Sequence, residues 1–166
     1  SVAVRPKNPE AWFYDELKLV AQAASQLPGQ LRNQVPRSLY MPTILWFAYE
    51  TGLRRSDCWN FDAETFNDEG VAALTQHKTG KVHVVRVTTE TLSSLRKIQR
   101  ILVSTGDVMR RFPLHWPQSD SQFYYWMKRA RLRAGIDPIE KNRSLQHVRR
   151  TGATAVDAAG GYAWQF

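Results

Sequence analysis

The sequence holds one cysteine, Cys58, among 166 residues, and it has no apolar run close to the ~20 residues that span a bilayer. A single cysteine excludes a disulfide framework and a zinc site made of several thiolates. The sequence also shows no signal peptide, so we expect a soluble, cytoplasmic protein with no membrane partner. Its length suits one domain with a core of its own.

Several sequence signatures of enzyme classes are also missing. There is no GxxxxGK[ST] or GxGxxG phosphate-binding loop, no HExxH and no GxSxG. The histidines lack the spacing of metal ligands; they are His77, His83, His115 and His147. Carboxylates are scarce where basic residues concentrate, which disfavours a nuclease that holds two metal ions. These residues give no indication of a bound metal or cofactor, and the family resemblance described below implies that none is needed.

Positive charge is abundant and unevenly distributed. The chain has 23 Lys and Arg against 15 Asp and Glu, a formal net charge of +8. The stretch from Arg100 to Arg150 contains eleven basic and four acidic residues, and therefore carries +7 of that total. Such a concentration favours a polyanionic partner, with an ordinary solvated basic face as the alternative.

Apolar periodicity and chain-breaking residues predict mostly helices around a small sheet. The predicted helices cover residues 8–29, 39–51, 54–60, 89–103, 119 or 120 to 135, and 145–159. The valine-rich residues 82–87 and the weaker strand 71–75 flank a lysine-bearing loop, 77–81, which predicts a β-hairpin. We read residues 1–8 as a tail and 9–166 as one α+β domain, mostly α-helical with a small antiparallel β-sheet.

Three segments together resemble the tyrosine recombinases, the family that includes the phage integrases. Residues 51–57, Thr-Gly-Leu-Arg-Arg-Ser-Asp, resemble that family's first catalytic-arginine motif, Thr-Gly-Leu-Arg-x-x-Glu. The loop His-Lys-Thr-Gly-Lys at 77–81 is similar to its catalytic-lysine hairpin. Residues 144–154, Ser-Leu-Gln-His-Val-Arg-Arg-Thr-Gly-Ala-Thr, resemble its His-x-x-Arg box. The resemblance extends from about Pro9 to the end of the chain.

The resemblance implies the fold of a tyrosine recombinase catalytic domain and a metal-independent reaction on DNA. A tyrosine attacks a phosphodiester, forms a 3′-phosphotyrosyl intermediate and releases a 5′-hydroxyl. Arg54 and Arg149 would hold the non-bridging oxygens, and Lys78 would protonate the departing oxygen. Gln146 would donate a hydrogen bond to the phosphate, and Asp57 would orient Arg54 or its neighbours without contacting the phosphate itself.

The resemblance also implies double-stranded DNA as the partner and a homo-oligomer, a tetramer, assembled on it by the full-length protein in a bacterial or archaeal cytoplasm or nucleoid. We expect further basic side chains to contact the DNA; they are Arg55, Lys81, Lys128, Arg131 and Arg150. Lys81 is also the alternative to Lys78 in the same loop. Arg149 is preferred to Arg150 as the catalytic arginine because of the Thr-x-Ala-Thr that follows.

Two positions depart from the family pattern. Gln146 stands where the family has histidine, and His147 is one residue late, which on a helix rotates a side chain by about 100°. Glutamine can donate a hydrogen bond but cannot accept a proton as a base near neutral pH. The nucleophilic tyrosine is expected beyond Phe166, since Tyr162 comes too early. The fragment alone is therefore expected to be inactive.

Two other functions remain open at this point. The first is a degenerate recombinase that binds DNA without cleaving it, which Gln146 favours. The second is a type IB topoisomerase-like enzyme, which uses similar arginine and lysine chemistry to relax supercoils. The Thr-Gly-Leu-Arg and Arg-x-Thr-x-Ala-Thr segments favour a site-specific recombinase over the topoisomerase.

Overall fold

The structure, a computed structural model, describes residues 14–75 and 79–136 together with Leu145 and Val148. Within these ranges the chain forms five α-helices, one two-stranded sheet and a short 3-10 turn at Ala63–Thr65. In chain order they are α1 (Tyr14–Ala24), α2 (Arg37–Thr51), α3 (Arg55–Asn60), β1 (Val71–Thr75), β2 (Val82–Arg86), α4 (Thr89–Ser104) and α5 (Asp120–Arg133). The predicted class, mostly helical α+β with a small antiparallel sheet, is confirmed.

Helix α2 is the central helix of the core. Ile44, Phe47 and Ala48 have no solvent-exposed surface, and α2 packs against α1 on one side and α4 on another. The helix ends as predicted at Gly52, whose φ of 68° places it in the left-handed region that glycine adopts without steric cost. The Gly52 N–H donates to the Ala48 carbonyl at 2.9 Å. This turn directs Leu53 back into the core and brings Arg54 to the start of α3.

The periodic apolar residues bury the helix faces that the sequence predicts. In α1 and the turn after it the buried residues include Leu17, Val20, Ala24 and Leu27, and in α4 they are Leu92, Leu95, Ile98 and Leu102. Helix α5 buries Phe123, Met127 and Ala130. Ser119 occupies the N-cap position of α5 as expected, although its side chain makes no capping hydrogen bond there. Gly135, with φ of 77°, follows the end of the helix.

The two strands form the predicted antiparallel hairpin. Val71 pairs with Arg86 and Thr75 with Val82, so the intervening residues alternate between two faces. Ala72, Leu74 and Val85 face the core, whereas Val82 and Val84 are exposed. The hairpin is therefore anchored to the core by one face of its two strands.

Two predicted helical ends lie outside the described residues. The first predicted helix begins at residue 8, and only its part from Tyr14 onward is described. Of the last predicted helix, 145–159, the structure describes Leu145 and Val148, which are helical and almost completely buried in the same core as α2 and α5. A spacing of three residues places both on one helix face.

Tyr40 joins α2 to the loop before α5. Its side chain is completely buried, and its hydroxyl donates to the Leu114 carbonyl at 2.8 Å. Burial raises the pKa of Tyr40 well above its usual value, because the phenolate would be poorly solvated there. The phenol therefore remains protonated in the folded chain at a pH where it ionises in the unfolded chain.

Replacing Tyr40 by phenylalanine should lower the free energy of unfolding by about 1–2 kcal/mol, because the Leu114 carbonyl loses its donor inside the core. Above pH ~10 the unfolded chain binds fewer protons than the folded one, so the wild-type protein should lose stability as pH rises, and the variant should lose less. Denaturant unfolding at pH 7 and pH 10.5 measures both effects. Tyr14→Phe, at a half-exposed tyrosine, is the control; equal losses for the two variants would contradict the assignment.

Candidate functional site

Arg54 lies at the junction of α2 and α3, where the sequence predicts the first catalytic arginine. It is the N-cap residue of α3, with an extended backbone (φ −68°, ψ 159°), and its carbonyl accepts from the Cys58 N–H at 2.8 Å. In the part of the chain that the structure describes, its Nη1 atom is buried and has no hydrogen-bond partner. A buried, unsatisfied guanidinium donor is costly unless an anion accepts from it. The unpartnered donor makes Arg54 a candidate for binding an anion such as a phosphate.

A half-open cleft of about 510 Å³ lies beside this junction. Leu53 and Asp57 line one wall, and Thr75 and Gly80 of the hairpin line another. Asp57 is half-buried and lies one helical turn after Arg54; its role in orienting that arginine stays a prediction. Residues next to the predicted lysine loop and residues next to Arg54 therefore line the same cleft.

The segment that follows α3 forms another wall of the cleft, and two arginines hold it in place. Arg96 of α4 donates to the carbonyls of Ala63 and Phe66, both at 3.1 Å. Arg111 forms an ion pair with Asp62, which lines the cleft, and the hydrogen bond to Asp62 raises the pKa of Arg111. Sequence reasoning missed both arginines, because their partners lie more than 25 residues away along the chain.

Arg55, predicted to contact DNA, is engaged within the chain. Its Nη2 lies 3.3 Å from an Asp120 carboxylate oxygen, and its Nη1 donates to the Tyr124 hydroxyl. The guanidinium carbon also lies 4.6 Å from the ring centre of Trp59 and 5.3 Å from that of Tyr124. Its side chain is 32% exposed. Arg55 therefore connects the first turn of α3 to the first turns of α5.

The other predicted DNA contacts differ in exposure. Lys81 and Lys128 are exposed, as a DNA-binding surface requires. Arg131 is only 5% exposed, and burial lowers the pKa of its guanidinium. The expectation that Arg131 belongs to an exposed basic surface is therefore wrong. It follows Phe123 and Met127 at intervals of four, which places it on the buried face of α5, and the sequence already contained that signal.

The remaining predicted site residues lie outside the described residues. They are Lys78, Gln146, Arg149 and Arg150. The structure thus brings together Arg54, Asp57 and the hairpin that bears Lys81, and leaves the other assignments as predictions. Among the described residues there is no group of three or more histidines, cysteines or carboxylates that could hold a metal ion. In the same ranges, no helix has both the length and the apolar character needed to cross a membrane.

The fold is that of the catalytic domain of tyrosine recombinases, as the three motifs predicted. No protein-family model matches the chain, and no curated protein matches it. Solved structures do: XerA recombinase superposes over 99% of this chain with a TM-score of 0.71 and 20% identity. The lambda integrase catalytic core covers 93% of this chain with a TM-score of 0.64 and 19% identity.

A third similar structure is the XerH site-specific recombinase bound to difH in a pre-cleavage complex, which covers 96% of this chain with a TM-score of 0.69 and 13% identity. The chain spans 56% of the XerA chain and 46% of the XerH chain, but 87% of the lambda integrase catalytic core. At these identities the likeness establishes the fold, and the activity has to be argued from the residues of this chain.

Proposed function

We propose that this chain is the catalytic domain of a site-specific DNA recombinase that cleaves and rejoins DNA through a 3′-phosphotyrosyl intermediate. One observation carries the proposal: within a recombinase catalytic-domain fold, Arg54 holds a buried Nη1 that has no partner in the described part of the chain. The Thr-Gly-Leu-Arg motif predicted a phosphate ligand at that same residue. A phosphodiester oxygen supplies the missing acceptor.

In the proposed reaction a tyrosine oxygen forms a bond to phosphorus while the bond from phosphorus to the 5′-oxygen breaks. Arg54 and Arg149 donate to the non-bridging oxygens, whose negative charge increases in the transition state. Gln146 donates a further hydrogen bond to the same phosphate. Because arginine keeps its charge at any physiological pH, Arg54 and Arg149 supply positive charge to the transition state from the protein itself.

Lys78 is proposed as the general acid that transfers its proton to the departing 5′-oxygen. Support comes from the cleft, which Thr75 and Gly80 of the hairpin line together with Leu53 and Asp57. A loop anchored by one face of a two-stranded sheet can bring a lysine to that position when DNA binds. Asp57 is proposed to orient Arg54, with which it shares the first turn of α3.

The proposed partner is double-stranded DNA, on which the full-length protein assembles as a homotetramer. The similar structures include a lambda integrase tetramer bound to a Holliday junction and the XerH complex with difH. The net charge of +8, most of it between Arg100 and Arg150, complements a phosphate backbone. Exposed Lys81 and Lys128 are proposed to contact DNA phosphates, as is Arg150.

A nicked suicide substrate tests the proposal, because loss of the short cleaved product prevents religation and traps the covalent adduct. The assay compares this chain with the full-length protein, which is called the extended protein below. The extended protein should form a protease-sensitive adduct at the 3′-phosphate in the presence of EDTA. Binding with no adduct in the extended protein would instead favour the non-catalytic DNA-binding function, for which Gln146 is the specific indication.

A further inference from the structure

We propose that Arg55 and its three partners, Asp120, Tyr124 and Trp59, position Arg54 for its contact with the phosphate. We call these four residues the Arg55 clamp. The inference rests on the proposed function and adds positioning residues to it. Asp120, Tyr124 and Trp59 lie outside the three recombinase motifs, whereas Arg55 belongs to the first of them. It also reassigns Arg55 from a DNA contact to a contact within the domain.

The position of Arg54 depends on the first turn of α3. Arg54 is the N-cap of that helix, and its carbonyl accepts the hydrogen bond from the Cys58 N–H. Any rotation or displacement of α3 therefore moves the origin of the Arg54 side chain. With six residues, α3 is far shorter than a helix that is stable by itself, so its orientation is set by its tertiary contacts.

The Arg55 clamp supplies such contacts from α5. The ion pair with Asp120, the hydrogen bond to Tyr124 and the flanking rings of Trp59 and Tyr124 fix the guanidinium on several sides. Trp59 also meets Phe123 edge to face, with ring centres 5.4 Å apart, which adds an apolar contact between the same two helices. Since Phe123 is completely buried, this contact ties α3 to the rigid core.

These contacts also argue against a direct DNA role for Arg55. A surface arginine that binds phosphate keeps its donors directed to solvent, whereas here Nη1 and Nη2 both have partners within the chain. Binding DNA would require Arg55 to exchange an ion pair and two ring contacts for one phosphate. Arg54, its neighbour, holds the unsatisfied buried donor instead. The two adjacent arginines thus divide the tasks of positioning and phosphate binding.

Tyr124→Phe tests the clamp because it removes the hydroxyl that accepts from Arg55 and keeps the ring. In the extended protein, we expect single-turnover cleavage to fall by about five- to tenfold, and DNA affinity to change by less than about twofold. Tyr125→Phe is the matched control: Tyr125 is the next residue of α5, is 51% exposed, and its hydroxyl has no hydrogen bond within the described part of the chain. Equal rates for the two variants would overturn the proposal.

Asp120 offers a second, independent test. Asp120→Asn should slow cleavage by a similar factor, and Asp120→Glu, which keeps a carboxylate within reach of Arg55, should restore most of the rate. Asp68→Asn, at an exposed aspartate of the loop before β1, controls for the loss of one negative charge from the chain. A gain in DNA affinity with no loss of rate would show that Asp120 acts only as a repulsive charge, which would contradict the clamp.

A double-mutant cycle tests whether the clamp acts through Arg54. In an Arg54→Lys background the Tyr124→Phe change should slow cleavage by less than about twofold, because the group that it positions is gone. If Tyr124→Phe slowed cleavage by the same factor in both backgrounds, Tyr124 would act independently of Arg54 and the proposal would be wrong. If the proposed function is wrong, the extended wild-type protein forms no adduct at all. If the wild type cleaves DNA and the Asp120 and Tyr124 variants cleave it at the same rate, only the proposal of the Arg55 clamp is wrong.

Discussion

Replacing Arg54 by alanine should lower the single-turnover rate of DNA cleavage by about 10²–10³-fold, the loss typical of removing one donor from a developing oxyanion. The affinity for DNA should change by less than about threefold, since many other cations of the chain are available to a DNA backbone. The rate should fall more than the affinity because the non-bridging oxygens become more negative as the pentavalent transition state forms. Arg54 therefore stabilises the transition state more than it stabilises bound DNA. Suicide-substrate trapping and fluorescence anisotropy, on the extended protein, measure the two quantities.

Stability provides a further check on Arg54→Ala. Nη1 is a buried donor with no partner in the described residues, so its removal should leave the free energy of unfolding unchanged or raise it slightly. Arg100→Ala, at an exposed arginine of α4, controls for the loss of one positive charge. If cleavage and binding fell together for Arg54→Ala, or if the variant unfolded easily, Arg54 would be a structural or general DNA-binding residue.

An unsatisfied buried donor costs stability at its site, and preorganised binding groups can carry such a cost. The described residues include other buried nitrogens in this state, among them those of Arg37 and Trp126, so the feature supports a binding role only together with the motif around Arg54. The same logic separates Arg54 from Arg131. Both are described with an unpartnered buried nitrogen, but Arg131 is nearly inaccessible on the inner face of α5, whereas Arg54 is half-buried at the entrance to α3. Of these two arginines, Arg54 is therefore the one nearer to solvent.

Local sequence rules predicted the elements that carry the site. Gly52 was predicted to end α2 because glycine, which has no Cβ, adopts the left-handed conformation of a helix end at low cost. The structure confirms that turn. The valines of β2 and the glycine in the loop before it predicted the hairpin, whose register the structure now gives. These features depend on neighbours within a few residues, so a single sequence contains the information.

The contacts of Arg55 and Arg96 could not be predicted in the same way. Asp120 and Tyr124 lie 65 and 69 residues from Arg55, and the Ala63 carbonyl lies 33 residues from Arg96. Which arginine faces DNA and which faces a carboxylate is decided by helix packing, and adjacent arginines look equivalent in the sequence. The motif singled out Arg54 as a candidate, which stays a prediction, whereas charge alone placed Arg55 and Arg131 on the same predicted surface.

The hairpin presents the same ambiguity for its lysines. Lys78 and Lys81 belong to one loop, and a general acid must reach within hydrogen-bond distance of the 5′-oxygen, whereas a backbone contact need only lie near a phosphate. Lys81 directly precedes β2, is exposed, and lies next to Gly80 at the cleft. Since both side chains are cationic, binding measurements cannot distinguish them, but a chemical rescue can.

Lys78→Ala should slow cleavage of an ordinary substrate by about 10²–10³-fold, the usual contribution of a positioned general acid. A substrate with sulfur in place of the bridging 5′-oxygen needs no proton to depart, so the variant should cleave it within about tenfold of the wild-type rate. Lys81→Ala should lose little rate on either substrate and should bind DNA more weakly. If neither lysine variant showed rescue, proton donation by this hairpin would be rejected; rescue of Lys81→Ala instead would transfer the role to Lys81. The sulfur substrate thus distinguishes proton donation to the leaving group from electrostatic binding of the DNA backbone. Both contributions can come from the two lysines of this loop.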